Sequence, residues 1–191
     1  WYERFIEISA SKKLSFIKKK ININNLKRRF NFDISNNQNF IEYSPLGLKY
    51  LRDILKIIKR DKGGLLIIDY GYFKKKMRNS LQAIYKKNHS KILENIGKSD
   101  ITYNINFNLI NKITKSFSKL DVNYTSQKKF LTNLGIYQRA EIICKNKTFR
   151  EKADIFYRLK RLTDENEMGK LFKVMLIKNL DNKSQIGFKN W

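Results

Sequence analysis

The sequence predicts an α/β fold, a largely parallel sheet with helices packed against it, and three observations carry that expectation. Residues 63–72 read Gly-Gly-Leu-Leu-Ile-Ile-Asp-Tyr-Gly-Tyr, where two glycines release four consecutive branched apolar residues. A run without alternation predicts a strand buried on both faces, as in a parallel sheet covered by helices. A helix signal precedes it directly. Ser44-Pro45 supply an N-cap and a first-turn proline, and Leu48, Leu51, Leu55 and Ile58 follow at three- and four-residue spacing. Residues 171–177, Leu-Phe-Lys-Val-Met-Leu-Ile, predict a late strand and the last member of the sheet.

The remaining elements fill in around these. Residues 2–8 and 13–19 predict two extended segments joined by a Ser/Ala turn, and the Asn- and Lys-rich residues 20–39 an irregular surface loop. A short apolar-polar alternation follows at residues 40–43, before the helix that closes at Asp61-Lys62-Gly63-Gly64 and feeds the apolar strand. Residues 74–119 are less regular, with His89-Ser90, Gly97 and Ser99-Asp100-Ile101-Thr102 as loop punctuation. Residues 127–145 predict one or two helices broken at Gly135. Residues 150–162 predict a helix that turns Ile155, Phe156, Leu159 and Leu162 inward. With no repeat, no Pro-rich linker and a single proline, residues 1–191 read as one domain.

Composition narrows the chemistry. Hydrophobic residues make up 41% and aromatics 13% of 191 residues, enough for a packed core. The net charge of +24 first suggests nucleic acid, but the basic clusters at Lys18–Lys20, Lys27–Arg29, Lys74–Lys76, Lys86–Lys87 and Lys128–Lys129 are scattered. A generally basic surface is the expectation, and nucleic acid is not the expected partner. One His and one Cys offer no metal-ligand spacing, and the lone Cys144 fits a reducing compartment and a place in the core. No apolar run approaches the ~18 residues of a membrane span. The opening at Trp1, without an initiator Met or a leader, is expected to lie inside a longer protein.

One end of the apolar strand is chemically interesting. Asp69-Tyr70-Gly71 follow the apolar run, and open α/β sheets bind ligands at the carboxyl edge of their strands.

Several segments in order then resemble one family. They are Trp-x-Glu-Arg (1–4), Glu-x-Ser-Pro (42–45), Gly-Gly-x-x-x-Ile-Asp-Tyr-Gly (63–71), Ser-Leu-Gln-Ala (80–83) and His89. Gly-x-x-Asp-Ile-Thr (97–102), Gln-x-x-Phe-Leu-x-x-Leu-Gly-Ile-x-x-Arg (127–139), Met-Gly-x-Leu-Phe-Lys-Val (168–174) and Gly-Phe (187–188) complete the set. Together they resemble the carboxyl-terminal half of the MidA family of S-adenosyl-L-methionine (SAM)-dependent methyltransferases, over essentially the whole chain.

The resemblance implies a Rossmann-like methyltransferase sheet, represented by its second half with a small helical insert, and SAM as cofactor. It also implies a glycine-rich SAM loop and a ribose-binding acid, and none of the eight glycines here forms a Gly-x-Gly. That cofactor-binding part is expected before Trp1. Mitochondrial members are complex I assembly factors that act as protein arginine methyltransferases, so the implied acceptor is an arginine of a respiratory complex I subunit. The implied location is the bacterial cytoplasm or, in a eukaryote, the mitochondrial matrix.

Methyl transfer to arginine needs carboxylates that orient the guanidinium in fork geometry. On this view Asp69, Tyr70, His89 and Asp100 are candidate catalytic residues, and Glu42, Gly71 and Thr102 candidate substrate contacts. Each has a plainer reading. Asp69 can cap a turn, Asp100 an Asx-type turn, Glu42 can be an exposed charge near a helix start, and His89 a structural hydrogen-bonding residue. Gln127 and Arg139 are expected to stabilise the helical insert. Where the family usually reads Val-Asp-Phe this chain has Ile105-Asn106-Phe107, so a carboxylate role there is lost. The competing reading is a non-catalytic basic protein that binds RNA or an acidic protein partner.

Overall fold

A computed structural model describes residues 1–188. In chain order its first elements are strands β1 (Tyr2–Ile8) and β2 (Leu14–Lys20), helices α1 (Ile23–Phe30) and α2 (Pro45–Asp61), and strand β3 (Gly64–Tyr72). Short strands β4 (Gln82–Tyr85), β5 (Asn88–Ser90), β6 (Asp100–Thr102) and β7 (Ile105–Asn106) follow, then α3 (Phe107–Thr114) and β8 (Leu120–Ser126). The chain continues with α4 (Gln127–Asn133), α5 (Ile136–Cys144), α6 (Phe149–Thr163), α7 (Met168–Leu171) and β9 (Phe172–Asn179). These elements form two compact units, one of residues 1–42 and 76–103, the other of residues 43–75 and 104–188.

In the first unit β1 and β2 pair as an antiparallel hairpin, from Tyr2 opposite Lys20 to Ile8 opposite Leu14. The expected loop over residues 20–39 instead contains α1. Its Asn22 side chain caps the helix by accepting the Asn24 N–H, and Asn31 closes it at φ 59°. Two of the asparagines that suggested irregular chain, Asn22 and Asn31, are its caps. Lys27, Arg28 and Arg29 crowd the last turn, where cations complement the helix dipole, and Phe30 is buried. Strands β5, β4 and β6 form a small antiparallel sheet in that spatial order, with Ala83 fully buried. His89 and residues 100–102 are therefore strand residues, where the sequence suggested loop punctuation.

The second unit is built on a four-stranded mixed sheet in the order β7-β3-β9-β8. Helix α2 forms as expected, its Ser44 hydroxyl accepting the Gly47 N–H, with Leu51, Leu55 and Ile58 buried. Strand β3 departs from expectation. It runs antiparallel to β9 from Gly64 to Tyr70 and parallel only to the two-residue β7, at Gly71 opposite Ile105 and Tyr72 opposite Asn106. Nor is it covered on both faces, because Leu66, Ile68 and Tyr70 are 46%, 46% and 39% exposed. Aligned cross-strand residues share a face, so these three lie with Leu176, Val174 and Phe172 of β9.

Strand β9 comes last in the chain but not at the sheet's edge. It lies between β3 and β8, and its Val174, Met175 and Ile177 are fully buried. Its Asn179 side chain donates to the Ile58 and Lys59 carbonyls (3.4 and 3.0 Å), tying the end of α2 to the sheet. Helix α3 arises in the stretch that reads as irregular, and strand β8 begins just beyond it. The helical insert breaks at Gly135 as expected, with φ 76° there. In α6 Leu159 and Thr163 are buried, but Phe156 points out at 48% exposure, contrary to the expected inward face.

Candidate functional site

The predicted site residues divide between the two units: Asp69, Tyr70 and Gly71 on β3, and Glu42, His89, Asp100 and Thr102 in the first unit.

On β3, Asp69 lies short of the strand end, directly opposite Lys173 of β9, and its Oδ1 accepts the Tyr70 N–H at 2.7 Å. Tyr70 points to the other face, where its ring meets Phe172 with centroids 4.2 Å apart. Gly71 is where β7 closes on β3. A Cβ at this position would overlap the Ile105 carbonyl oxygen and the Phe107 ring, so only glycine permits the approach. The carboxyl ends of β3 and β7 thus lie side by side, and α3 starts immediately after. Asn106 caps that helix through Oδ1, which accepts the Leu109 N–H at 3.0 Å. Phe73, just beyond β3, packs on Phe107 and Tyr124 with centroids 5.5 and 4.5 Å away. The expected burial beneath this strand end holds in part: Ile67 is half-buried, whereas Ile68 is exposed.

In the first unit the Glu42 carboxylate accepts from the Ser80 hydroxyl, from the Ser80 N–H (3.2 Å) and from the Leu81 N–H (3.2 Å). Its lone pairs gather one turn of chain across 38 residues. His89 and Asp100 both align with Ile84 of β4, on opposite sides of it. They share a face but stand two strand spacings apart, about 10 Å, too far for proton exchange between them. Thr102 accepts from the Gln82 side-chain amide at 3.1 Å within the same sheet. Within each unit no two of the predicted acidic or basic groups form a hydrogen-bonded acid–base pair.

A shallow cavity of about 520 Å³ lies elsewhere in the second unit, over α4, α5 and α6, lined by Tyr137, Phe156, Leu159 and Lys160 among others. Lys128 and Glu165 pair at its rim (2.8 Å). The pairing holds the Glu165 carboxyl below its ordinary pKa and raises that of Lys128. None of the predicted site residues lines it. Behind it, Gln127 donates to the Leu162 carbonyl at 2.9 Å and joins α4 to α6, the stabilising role its sequence context suggests.

The comparisons with known proteins agree with this architecture. Residues 1–125 match the model of a family described as "Putative S-adenosyl-L-methionine-dependent methyltransferase". The chain belongs to that family. Two solved structures from Burkholderia thailandensis share the methyltransferase-family fold. One is an uncharacterised protein, 22% identical, with a TM-score of 0.79 over 98% of this chain and 51% of its own. The other, from the same superfamily and bound to S-adenosyl-homocysteine, is 21% identical, with a TM-score of 0.78 over 98% of this chain and 50% of its own. This chain therefore spans about half the length of these relatives.

Family membership makes SAM the relevant cofactor, and the glycines test whether these residues cradle it. At Gly71, Gly169 and Gly187 the space a Cβ would take is occupied by the protein's own Ile105 and Phe107, Thr163, and Phe130. Gly63 and Gly97 have open space beside them, but one precedes a strand and the other lies in a turn, with no Gly-x-Gly at either. Close approach of backbone to a nucleotide needs clustered glycines at a strand–helix turn. The described residues do not form such a cradle.

Proposed function

We propose that this chain is the carboxyl-terminal part of a MidA-like SAM-dependent protein arginine methyltransferase, whose acceptor is a subunit of respiratory complex I. The cofactor cradle, on this reading, belongs to the length that the relatives have and these residues do not span. One observation carries it above the others: the edge of β3 facing away from β9 is open. Over Gly64–Tyr70 no strand pairs with it among the described residues, and Leu66, Ile68 and Tyr70 beside it are exposed. Bare edges of this length are normally paired or covered, which supports a sheet continued by further strands of the same fold.

SAM carries an activated methyl group, so the protein's task is to position and desolvate the nucleophile. Asp69 supplies a carboxylate on β3, adjacent to the paired strand ends, that can hold a guanidinium in fork geometry. The order of the motifs supports the MidA assignment and, with it, the complex I acceptor and a place in the mitochondrial matrix or the bacterial cytoplasm. The reading is tested by calorimetric titration of SAM into this chain alone and into the chain joined to a cofactor-binding half, with mass spectrometry of an arginine-bearing acceptor. Binding and methylated arginine only in the joined protein are expected. Micromolar SAM binding by residues 1–191 alone would overturn the division of labour.

A further inference from the structure

We infer that the outer edge of β2 takes up a polypeptide strand from a partner, apolar in one half and acidic in the other. The hairpin's own hydrogen bonds define that edge. Ser9 N–H donates to the Lys13 carbonyl (3.0 Å) at one end, and Ile21 N–H to the Trp1 carbonyl (3.1 Å) at the other. Antiparallel ladders alternate between hydrogen-bonded and non-hydrogen-bonded pairs. Counting from both ends, Glu3–Lys19, Phe5–Ile17 and Glu7–Ser15 are the bonded pairs. The N–H and C=O groups of Leu14, Phe16, Lys18 and Lys20 therefore point away from β1, and no further strand pairs with them among the described residues.

The side chains of the same four residues share one face with Tyr2, Arg4, Ile6 and Ile8. That face is basic at one end, through Arg4, Lys18 and Lys20, and apolar at the other. Both carboxylates of the hairpin, Glu3 and Glu7, fall on the opposite face. The Arg4 guanidinium lies over the Phe16 ring, 5.1 Å from its centroid, joining the two ends of the face. Ile6 and Ile8 on it are 57% and 68% exposed.

An open row of alternating donors and acceptors selects the class of partner. Another polypeptide backbone satisfies both kinds of group, as in β-strand addition. A phosphate backbone accepts from the N–H groups but gives nothing to the carbonyls. A bilayer leaves both unpaired. In a parallel pairing of two copies of β2, Lys18, Lys19 and Lys20 would meet their like, the usual defence of an edge strand. The same lysines favour an acidic strand.

The test uses the 191-residue chain and a fluorescein-labelled peptide, Glu-Thr-Glu-Thr-Val-Thr-Val, with its reversed sequence to cover both strand directions. Fluorescence anisotropy is expected to show one of them bind. Joint Lys18→Glu and Lys20→Glu substitution should weaken it at least about tenfold, with circular dichroism unchanged. Lys19→Glu, on the opposite face, should weaken it clearly less. Methylating alternate peptide nitrogens should abolish binding. The inference is overturned if neither peptide binds, if the methylated peptide binds as well as its parent, or if the two charge reversals together change nothing. Tighter binding of oligouridine or phosphatidylserine vesicles, lost on the same reversals, would likewise overturn it and make the hairpin a nucleic-acid or lipid surface. All of these outcomes are independent of methyl transfer.

Discussion

The side-chain amide of Asn106 donates to the carbonyl oxygen of Lys74 at 3.4 Å, joining the start of α3 to the chain that leaves β3. Its other half, Oδ1, accepts the Leu109 N–H at 3.0 Å, and the residue is buried. One side chain thus serves two elements, and both halves of the amide are used. A carboxylate at this position would cap the helix but would face the Lys74 oxygen with no proton to offer. The two bonds give Asn106 a structural role at this point. Asn106→Ala should cost about 2 kcal/mol, for a lost cap and a buried N–H left without its acceptor. Asn106→Asp should cost about half as much, because the cap survives. Urea unfolding midpoints rank the two, and equal losses would mean that the Lys74 bond, not the cap, matters.

Gly71 makes a sharper demand. Its Cα faces the Ile105 carbonyl and the Phe107 ring so closely that even a methyl group cannot enter without moving backbone. Phe107 is itself fully buried and has little room to retreat. Gly71→Ala should therefore destabilise by about 3 kcal/mol, the upper range for overpacking. Gly63→Ala, with open space beside it, serves as the control. A loss at Gly71 no larger than at Gly63 would show that β7 can shift away freely.

How much of this was legible depends on where local chemistry and tertiary context agree. Helix α2 was readable because Ser44, Pro45 and the Leu51–Leu55–Ile58 stripe all say the same thing locally. The break at Gly135 was readable because a positive φ of 76° suits glycine. Helix α1 was hidden by its own caps, since Asn22 and Asn31 look like loop residues unless the Ile23, Leu26 and Phe30 spacing between them is read first. The direction of β3 was not legible at all. An apolar run fits a parallel strand and an antiparallel one equally, and β9 reaches it from about a hundred residues away. The site was legible as residue types but not as an arrangement. Asp69 and Asp100 each end or begin a recognisable motif, yet nothing local tells that they fall in different compact units.

The start of α6 gives a pH signature. Glu151 closes a capping box: its carboxylate accepts the Thr148 N–H (2.9 Å) and hydroxyl (2.9 Å) and pairs with Lys147 (3.0 Å). The Thr148 backbone N–H, then Lys147 and the Thr148 hydroxyl, pull its pKa from the ordinary 4.5 to about 2. A lowered pKa means that the charged form favours the folded state. Its contribution is complete above 4.5 and is lost as pH falls from 4.5 toward about 2. Glu151→Gln should lower the melting temperature at pH 6 and should matter progressively less below pH 4.5. Melting curves of both proteins at pH 6 and pH 3 decide this. An undiminished difference at pH 3 would assign the effect to geometry instead of charge.

Charge at Asp69 and charge on the basic surface make opposite predictions for catalysis. Asp69 stands on β3 beside the paired strand ends, where a carboxylate can orient a guanidinium, while Lys74, Lys75 and Lys76 belong to the chain beyond the strand. Asp69→Asn keeps the size and the oxygen that accepts the Tyr70 N–H, and removes the charge. In the protein joined to its cofactor-binding half, this change should cost about 3 kcal/mol in transition-state stabilisation, the scale for losing one partner of a desolvated, hydrogen-bonded charge pair. Read as kcat/KM for an arginine-bearing acceptor, that is a fall of roughly two orders of magnitude. Replacing Lys74, Lys75 and Lys76 together with Gln should alter little beyond the salt dependence of encounter. Thermal unfolding of both variants checks that neither has simply lost its fold. Full activity in Asp69→Asn with collapse in the triple variant would move recognition from the carboxylate to the basic surface and favour a protein that works by binding.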